Sequence, residues 1–481
     1  MKKIVSVLLL VCMLVGIFAL TGCKDNKKTM GGDFAVPEGG YDGSEVTITF
    51  YHTMGAALRE VLDKYIVEFN KMYPNIHIEH KQVGSYDDVR SKIATEITVG
   101  NQPNIAYCYP DHVALYNMGN AVITLDNLIA STVEVKRADG TTEVLGLTQE
   151  QLADFIPGYY AEGACYGDGK MYTLPMSKST EVLYYNKTFF EQNGLEVPTT
   201  WEEMEAVCAR IKEIDPMSIP LGYDSEANWF ITLCEQYGSA YTSTDGDRYL
   251  FDNETNRGFV TMFREWYKKG YVTTQEINGG AYTSELFTKN PTEADPVRCY
   301  MCIGSTAGAS HQIPGKDDAG NYLFEVGIAT IPQVNPEKPK VISQGPSLCI
   351  FGKENTQEVI ASWLFVKYLA TCPQFQADFS MASGYVPVIQ SVKNDEIYAK
   401  FLEKADGGSY LPALSTKMAL AQSEAYFVSP AFNGSSNARD EVAQLMQKCL
   451  LLGNDNLEAN IKKAFEEAVK NCKSKDLTLA G

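Results

Sequence analysis

GKMYTLPMSKSTEVLYYNKTFFEQNGLEVPTTWEEM, residues 169–204, carries strand, loop and helix signals in close succession. The segment "EVLYYNK" is dense in branched and aromatic residues and reads as a strand. After a loop with Gly194 and Pro198, "TTWEEMEAVCARIKEI" reads as a helix with Thr200 as its N-cap. Glu203, three residues on, completes a capping box that satisfies two backbone N–H groups left over at the helix start.

The same texture runs upstream. "EVTITFYHT", from Glu45 to Thr53, alternates apolar and polar residues as a half-buried strand does. Leu58, Val61, Leu62, Tyr65, Phe69 and Met72 then recur at helical spacing until Pro74. "IHIEHKQV" returns to a period of two, and "SYDDVRSKIATEI" puts Val89, Ile93 and Ile97 on one helical stripe. "PNIAYCYP" reads as a short buried strand. Strand and helix in alternation predict a parallel α/β sheet with crossover helices. Downstream, an apolar-rich helix runs from Glu358 to Thr371, and Leu457, Ile461, Phe465 and Val469 make the tail amphipathic. No solenoid period is present. Two α/β blocks without a long linker predict two coupled lobes.

The chain has 481 residues, 45% hydrophobic, with a net charge of −19. That balance argues against a nucleic-acid partner and against electrostatic docking on anionic lipid. Lys2 and Lys3 precede an apolar run from Ile4 to Leu20, the pattern of a secretory leader. The run is short for a spanning helix. Leu20-Thr21-Gly22-Cys23 resembles the lipobox of bacterial lipoproteins, which implies lipidation of Cys23 and a leader over 1–22. Residues 23–44, rich in Lys, Gly and Asp, read as a flexible tether. Of 12 cysteines, Cys12 leaves with the leader and Cys23 takes the lipid; the other ten lie in mainly apolar contexts that suit buried thiols.

Other constellations carry little chemistry. Cys299 and Cys302 form a CxxC in what reads as a strand, which would point them to opposite faces; His77 and His80 are placed likewise. "TDGDRYLFDNE" lacks the spacing of an EF-hand. No GxSxG, P-loop or HExxH motif occurs. No metal and no cofactor are called for. A hydrolase built on two unmarked carboxylates stays open on motif grounds.

"FYHTMG", "FNKMYPNIHIE", residues 169–204, "VGIATIPQ", "QGPSLCIFGK" and "SGYVPV" together resemble extracellular solute-binding protein family 1 of bacterial ABC importers. Within it, "FYHTMG", "YMCIGSTAG", "QGPSL" and "SGYVPV" are most similar to binders of sn-glycerol 3-phosphate and its diesters. The resemblance implies a two-lobed periplasmic-binding-protein-like fold of type II, each lobe a mixed sheet flanked by helices, with ligand in the interlobe cleft. The expected N-terminal lobe is 45–177 plus 297–340 and the expected C-terminal lobe 178–296 plus 341–481. Chain crossings are expected near Pro175 to Val182, near Asp295 and near Val341 to Gly345.

Position by position, the resemblance points to Tyr86, Asp111, Ser179, Trp229, Ser305, Gly345, Tyr385 and Arg439 as ligand contacts. Trp229 has the chemistry of a stacking platform, and equally of a core tryptophan. Asp111 can accept hydroxyl hydrogens or merely cap a helix. Gly345 can bring backbone N–H groups to an oxygen, or simply turn the chain. Arg439 can bind a phosphate bidentately or pair with Asp440 or Glu441; Lys178 is the other cation near a predicted contact. The implied function is a monomeric, lipid-anchored, non-catalytic binding subunit facing outward from the cell membrane. Its implied partners are a small sugar or polyol, an ABC permease and the membrane. A surface carbohydrate-active hydrolase and a ligand-sensing lipoprotein are the alternatives.

Overall fold

The computed structural model describes residues 31–292, 294–404 and 410–476. The expected leader and Cys23, the expected lipidation site, lie outside the described residues.

The first lobe opens with β1 (Val46–His52), α1 (Ala56–Met72), β2 (Ile76–Gln82), α2 (Tyr86–Ile97), β3 (Ile105–Cys108), α3 (Pro110–Tyr116) and β4 (Thr173–Pro175). The chain then builds the second lobe. Its elements are β5 (Ser179–Asn186), α4 (Trp201–Ile214), β6 (Leu221–Tyr223), α5 (Glu226–Tyr237), α6 (Glu254–Lys268), β7 (Val272–Thr274), β8 (Met301–Ser305), β9 (Val326–Ala329) and β10 (Val341–Gln344). It returns to the first lobe as β11 (Ser347–Ile350), α7 (Thr356–Thr371) and α8 (Pro373–Ser383), and α9 (Leu411–Ala421) then packs against both lobes. It ends in the second with β12 (Tyr426–Phe427), α10 (Ser435–Leu451) and α11 (Leu457–Lys475).

In the first sheet the strand order is β2-β1-β3-β11-β4, parallel among the first three and antiparallel at β11. The alternation read in β1 holds: Val46, Ile48, Phe50 and His52 are buried. In the second sheet the order is β7-β6-β8-β5-β10-β12, with β9 also paired to β5. Strand β5 is buried on both faces. Leu183 enters the core of Trp201, Trp229 and Phe263, whereas Val182 and Tyr184 enter the one of Cys299 and Cys302.

Three expectations about lobes and crossings are corrected. Residues 297–340 belong to the second lobe, because β8 and β9 both pair antiparallel with β5. Residues 347–403 belong to the first, because β11 lies between β3 and β4 and α7 packs into that core. No crossing lies near Asp295, which pairs with Lys289 at 2.8 Å inside the second lobe; the last passage between lobes runs through α9, whose Ala413 and Ala419 enter the first core while Leu411 enters the core of Cys299 and Cys302.

The tether is not loose from Gly31 onward. Gly32 and Asp33 pair with Ile123 and Thr124, and Asp33 meets Lys170 at 2.6 Å. Phe34, Val36 and Tyr41 pack on the first core; three apolar anchors outweigh the polar composition of the segment. Cys299 and Cys302 share one buried cluster, because the strand begins only at Met301 and its alternation does not reach Cys299.

Two crossings touch at Gly345. Its φ is +94°, and a Cβ there would sit 2.6 Å from the Ser177 carbonyl oxygen. Beside it the Lys178 ammonium, fully buried, binds Glu162 at 2.5 Å, Ser347 Oγ at 3.1 Å and the Gly345 carbonyl at 3.3 Å. Lys178 is therefore taken up by the crossing and is not open to ligand.

Candidate ligand-binding cleft

Between the lobes lies a cavity of about 320 Å³. Helix starts build much of its wall. The Ser85 hydroxyl accepts from the Asp88 N–H in a capping box, which sets Tyr86 and Asp87 in the first turn of α2. Tyr109 caps α3, and Pro110 at the first helical position puts Asp111 next. From the other lobe, the Ser225 side chain caps α5 and places Glu226 and Ala227 at the wall. The first turns of α10 bring Ser435, Arg439 and Asp440.

Two polar contacts join the lobes across this cavity. Ser436 Oγ donates to Asp111 Oδ2 at 2.7 Å, and Arg90 Nη2 donates to Asp440 Oδ2 at 3.2 Å. Tyr86 packs on Tyr109, ring centroids 4.6 Å apart, and its hydroxyl lies 3.4 Å from that of Tyr385. Tyr241 Oη and Ser429 Oγ also line the cavity, and neither has a hydrogen-bond partner within the protein.

The wall is acidic. It holds the carboxylates of Asp87, Asp111, Asp224, Glu226, Glu276 and Asp440 against the guanidiniums of Arg90 and Arg439. Burial pushes Asp224, Glu226 and Asp440 above the ordinary carboxylate range. Burial also acts on Asp111, but His112, Arg439, the Ser436 hydroxyl and Arg90 outweigh it and hold its carboxyl low. Burial lowers His112, which favours the neutral ring.

Behind the wall is a relay. Arg439 Nη2 donates to Asn228 Oδ1, and Asn228 Nδ2 donates to Glu181 Oε1 at 2.9 Å. The other Glu181 oxygen accepts from Tyr223 at 2.7 Å. Glu181 is 2% exposed, and burial pushes its carboxyl up to about 7 against those hydrogen bonds and Arg439.

Of the eight ligand contacts expected from the sequence, Tyr86, Asp111 and Arg439 line the cavity. Tyr385 stands behind Tyr86. Gly345 and Ser179 flank or pair with Gln344, which lines the cavity, but both belong to the crossings. Ser305 caps the turn after β8, its Oγ accepting from the Ala307 N–H at 3.2 Å. Trp229 is a core residue: fully buried, it stacks on Tyr223 with ring centroids 4.8 Å apart. Its place on α5 turns it inward to an aromatic cluster and away from the cleft, where Ala227 and Ile231 stand instead. Arg90, Tyr109, Tyr241, Asp224, Glu226 and Asp440 were not singled out. For Glu226 the sequence signal was a carboxylate in the first turn of a helix; Asp224 and Asp440 lie outside a first turn and carried none.

A family model for bacterial extracellular solute-binding proteins matches residues 64–403. The sn-glycerol-3-phosphate-binding periplasmic protein UgpB of Escherichia coli is 24% identical over 377 residues, covering 75% of this chain and 78% of that protein. Two solved structures share the fold. UgpB of Mycobacterium tuberculosis, in complex with glycerophosphocholine, has TM-score 0.69 at 18% identity, covering 89% of this chain and 98% of that one. The cyclic alpha-maltosyl-1,6-maltose binding protein of Arthrobacter globiformis has TM-score 0.66 at 18% identity, covering 90% and 100%. The architecture is the two-lobed type II periplasmic-binding-protein fold, and the chain belongs to the bacterial extracellular solute-binding proteins.

Proposed function

We propose that this protein is the non-catalytic binding subunit of an ABC importer. It captures a sugar, an oligosaccharide or a glycerol-phosphate-type polyol by hinge closure and delivers it to the permease. A lipid on Cys23 holds it at the outer side of the cell membrane. The observation that carries the reading is the interlobe cavity. Tyrosine rings, carboxylates and unpartnered hydroxyls there suit the C–H faces and hydroxyls of a polyol. Closure has a physical basis in Arg90 and Asp111, which meet Asp440 and Ser436 only when the lobes are together.

A thermal-shift screen against sn-glycerol 3-phosphate, glycerophosphocholine and mono- to tetrasaccharides tests it. A ligand at 100 times its Kd adds roughly 2.7 kcal/mol of stability. The expected result is a shift with one ligand class, with the ligand recovered chemically unchanged. Turnover of that ligand, or no shift with any of them, would sink the reading. Metabolic labelling with a fatty acid that is lost in Cys23→Ala tests the anchor.

A further inference from the structure

The acidic wall and the relay behind it bear on which polyol the cleft takes, given that it binds one. Arg90 and Arg439 are the guanidiniums of the cavity wall. Arg90 is held by Asp440 at 3.2 Å and Asp87 at 3.4 Å. Arg439 keeps its place at the wall but is tied through Asn228 to the buried carboxylate of Glu181. Each cation therefore reaches the cavity with a counter-charge already beside or behind it. A guanidinium so neutralised still donates hydrogen bonds, which a hydroxyl accepts. It has little net charge left to offset the desolvation of a dianion.

Helix dipoles do not make up the difference. The N-termini that face the cavity and would favour an anion are answered by the protein's own carboxylates. Helix α2 carries Asp87 and Asp88 in its first turn, α5 carries Glu226, and Asp111 sits on the start of α10 through Ser436. With six carboxyl groups against two guanidiniums at the wall, the balance of charge there disfavours a phosphate.

We infer that Glu181 and Asp440 are specificity-determining counter-ions, which turn Arg439 and Arg90 from anion receptors into hydroxyl donors. The cleft then selects an uncharged, polyhydroxylated ligand such as an oligosaccharide over a phosphomonoester. This rests on the polyol-binding reading above. Neither residue need touch the ligand: Glu181 acts through Asn228 and Arg439, and Asp440 through Arg90.

Isothermal titration at pH 8 and low salt, with sn-glycerol 3-phosphate and maltotriose as probes, tests it on wild type, Glu181→Gln, Asp440→Asn and the double variant. Glutamine can accept from Asn228 on its Oε1 and donate from its Nε2 to the Tyr223 oxygen, and circular dichroism checks that each variant is folded. The double variant should gain at least about tenfold in affinity for sn-glycerol 3-phosphate, while any maltotriose affinity moves less than about threefold. No gain for the phosphate, or an equal gain for both probes, overturns the proposal. Wild type that binds sn-glycerol 3-phosphate more tightly than maltotriose overturns the selection for an uncharged ligand, whereas the polyol reading fails only if the thermal-shift screen finds no ligand. A phosphate gain in the variant would still establish the counter-ions.

Discussion

Glu162 and Glu181 are both buried carboxylates, 5% and 2% exposed, yet the fold treats them in opposite ways. Glu162 receives the Lys178 ammonium directly at 2.5 Å, where two crossings meet. Glu181 receives only neutral donors, Tyr223 at 2.7 Å and Asn228 at 2.9 Å, and feels Arg439 across the Asn228 amide. A direct buried pair is satisfied in one geometry, and either partner alone is costly. It suits a hinge, where the segments must stay in register while the lobes move. A carboxylate held by dipoles alone keeps a raised proton affinity. It suits the back of a binding wall, where charge has to be set rather than cancelled outright.

The largest expected effect is at the hinge. Lys178→Met removes the cation and leaves Glu162 buried without its partner, at a cost of roughly 3–5 kcal/mol. Urea unfolding measures it. Adding Glu162→Gln should recover more than half of the loss. If the double variant is no more stable than Lys178→Met, the pair is not the coupled unit described here.

Glu181 should show its difference through pH. Its folded carboxyl titrates at about 7, above the ordinary value of 4.5. A raised folded value means that the folded protein binds the proton more tightly. This contribution is thus full below about pH 4.5 and is lost as pH rises through 7. The loss approaches about 3 kcal/mol by pH 8. Glu181→Gln cannot titrate there. The stability gap between variant and wild type should therefore swing toward the variant by most of that amount between pH 5 and pH 8. A gap that stays constant over that range would refute the assignment.

Gly345 sharpens the hinge side of the comparison. The sequence suggested a backbone donor for the ligand, or a turn. The structure shows a left-handed residue wedged against Ser177 and Lys178. Alanine there meets both a strained φ and a 2.6 Å contact with backbone, at a cost of about 2 kcal/mol. A melting curve of Gly345→Ala reads it. An unchanged midpoint would mean that the two crossings have room to part.

Elements set by local pattern were legible. The capping box at Thr200, the periodicity of α1 and α2 and the apolar run of α7 survive in the structure because their causes lie within a few residues. Lobe membership was not legible from pattern, because the pairing of Met301–Ser305 and Val326–Ala329 with β5 is a long-range choice among similar strands. The cleft was half legible. Tyr86, Asp111 and Arg439 lie at the wall, whereas the charge that tunes Arg439 comes from Glu181, far away in sequence. A Glu inside the apolar run "EVLYYN" was the one visible trace of it.

Trp229 gives the smallest expected effect on binding and separates wall from core. Tryptophan chemistry fits a sugar platform and an aromatic core equally, so its residue type could not decide. Its surroundings do: Tyr223 stacks on one side, Phe263 lies with its ring centroid 4.4 Å away, and the indole Nε1 has no hydrogen-bond partner within the protein. Trp229→Phe keeps an aromatic ring in that cluster and gives up no hydrogen bond. It should lower stability by about 1 kcal/mol through lost packing, with ligand affinity changed less than about twofold. Tyr86→Ala, at the wall, should cost about tenfold or more in affinity for the same ligand. If the ranking reverses, the aromatic face that holds the ligand belongs to α5, and the wall built from Tyr86, Tyr109 and Tyr241 is not the binding surface.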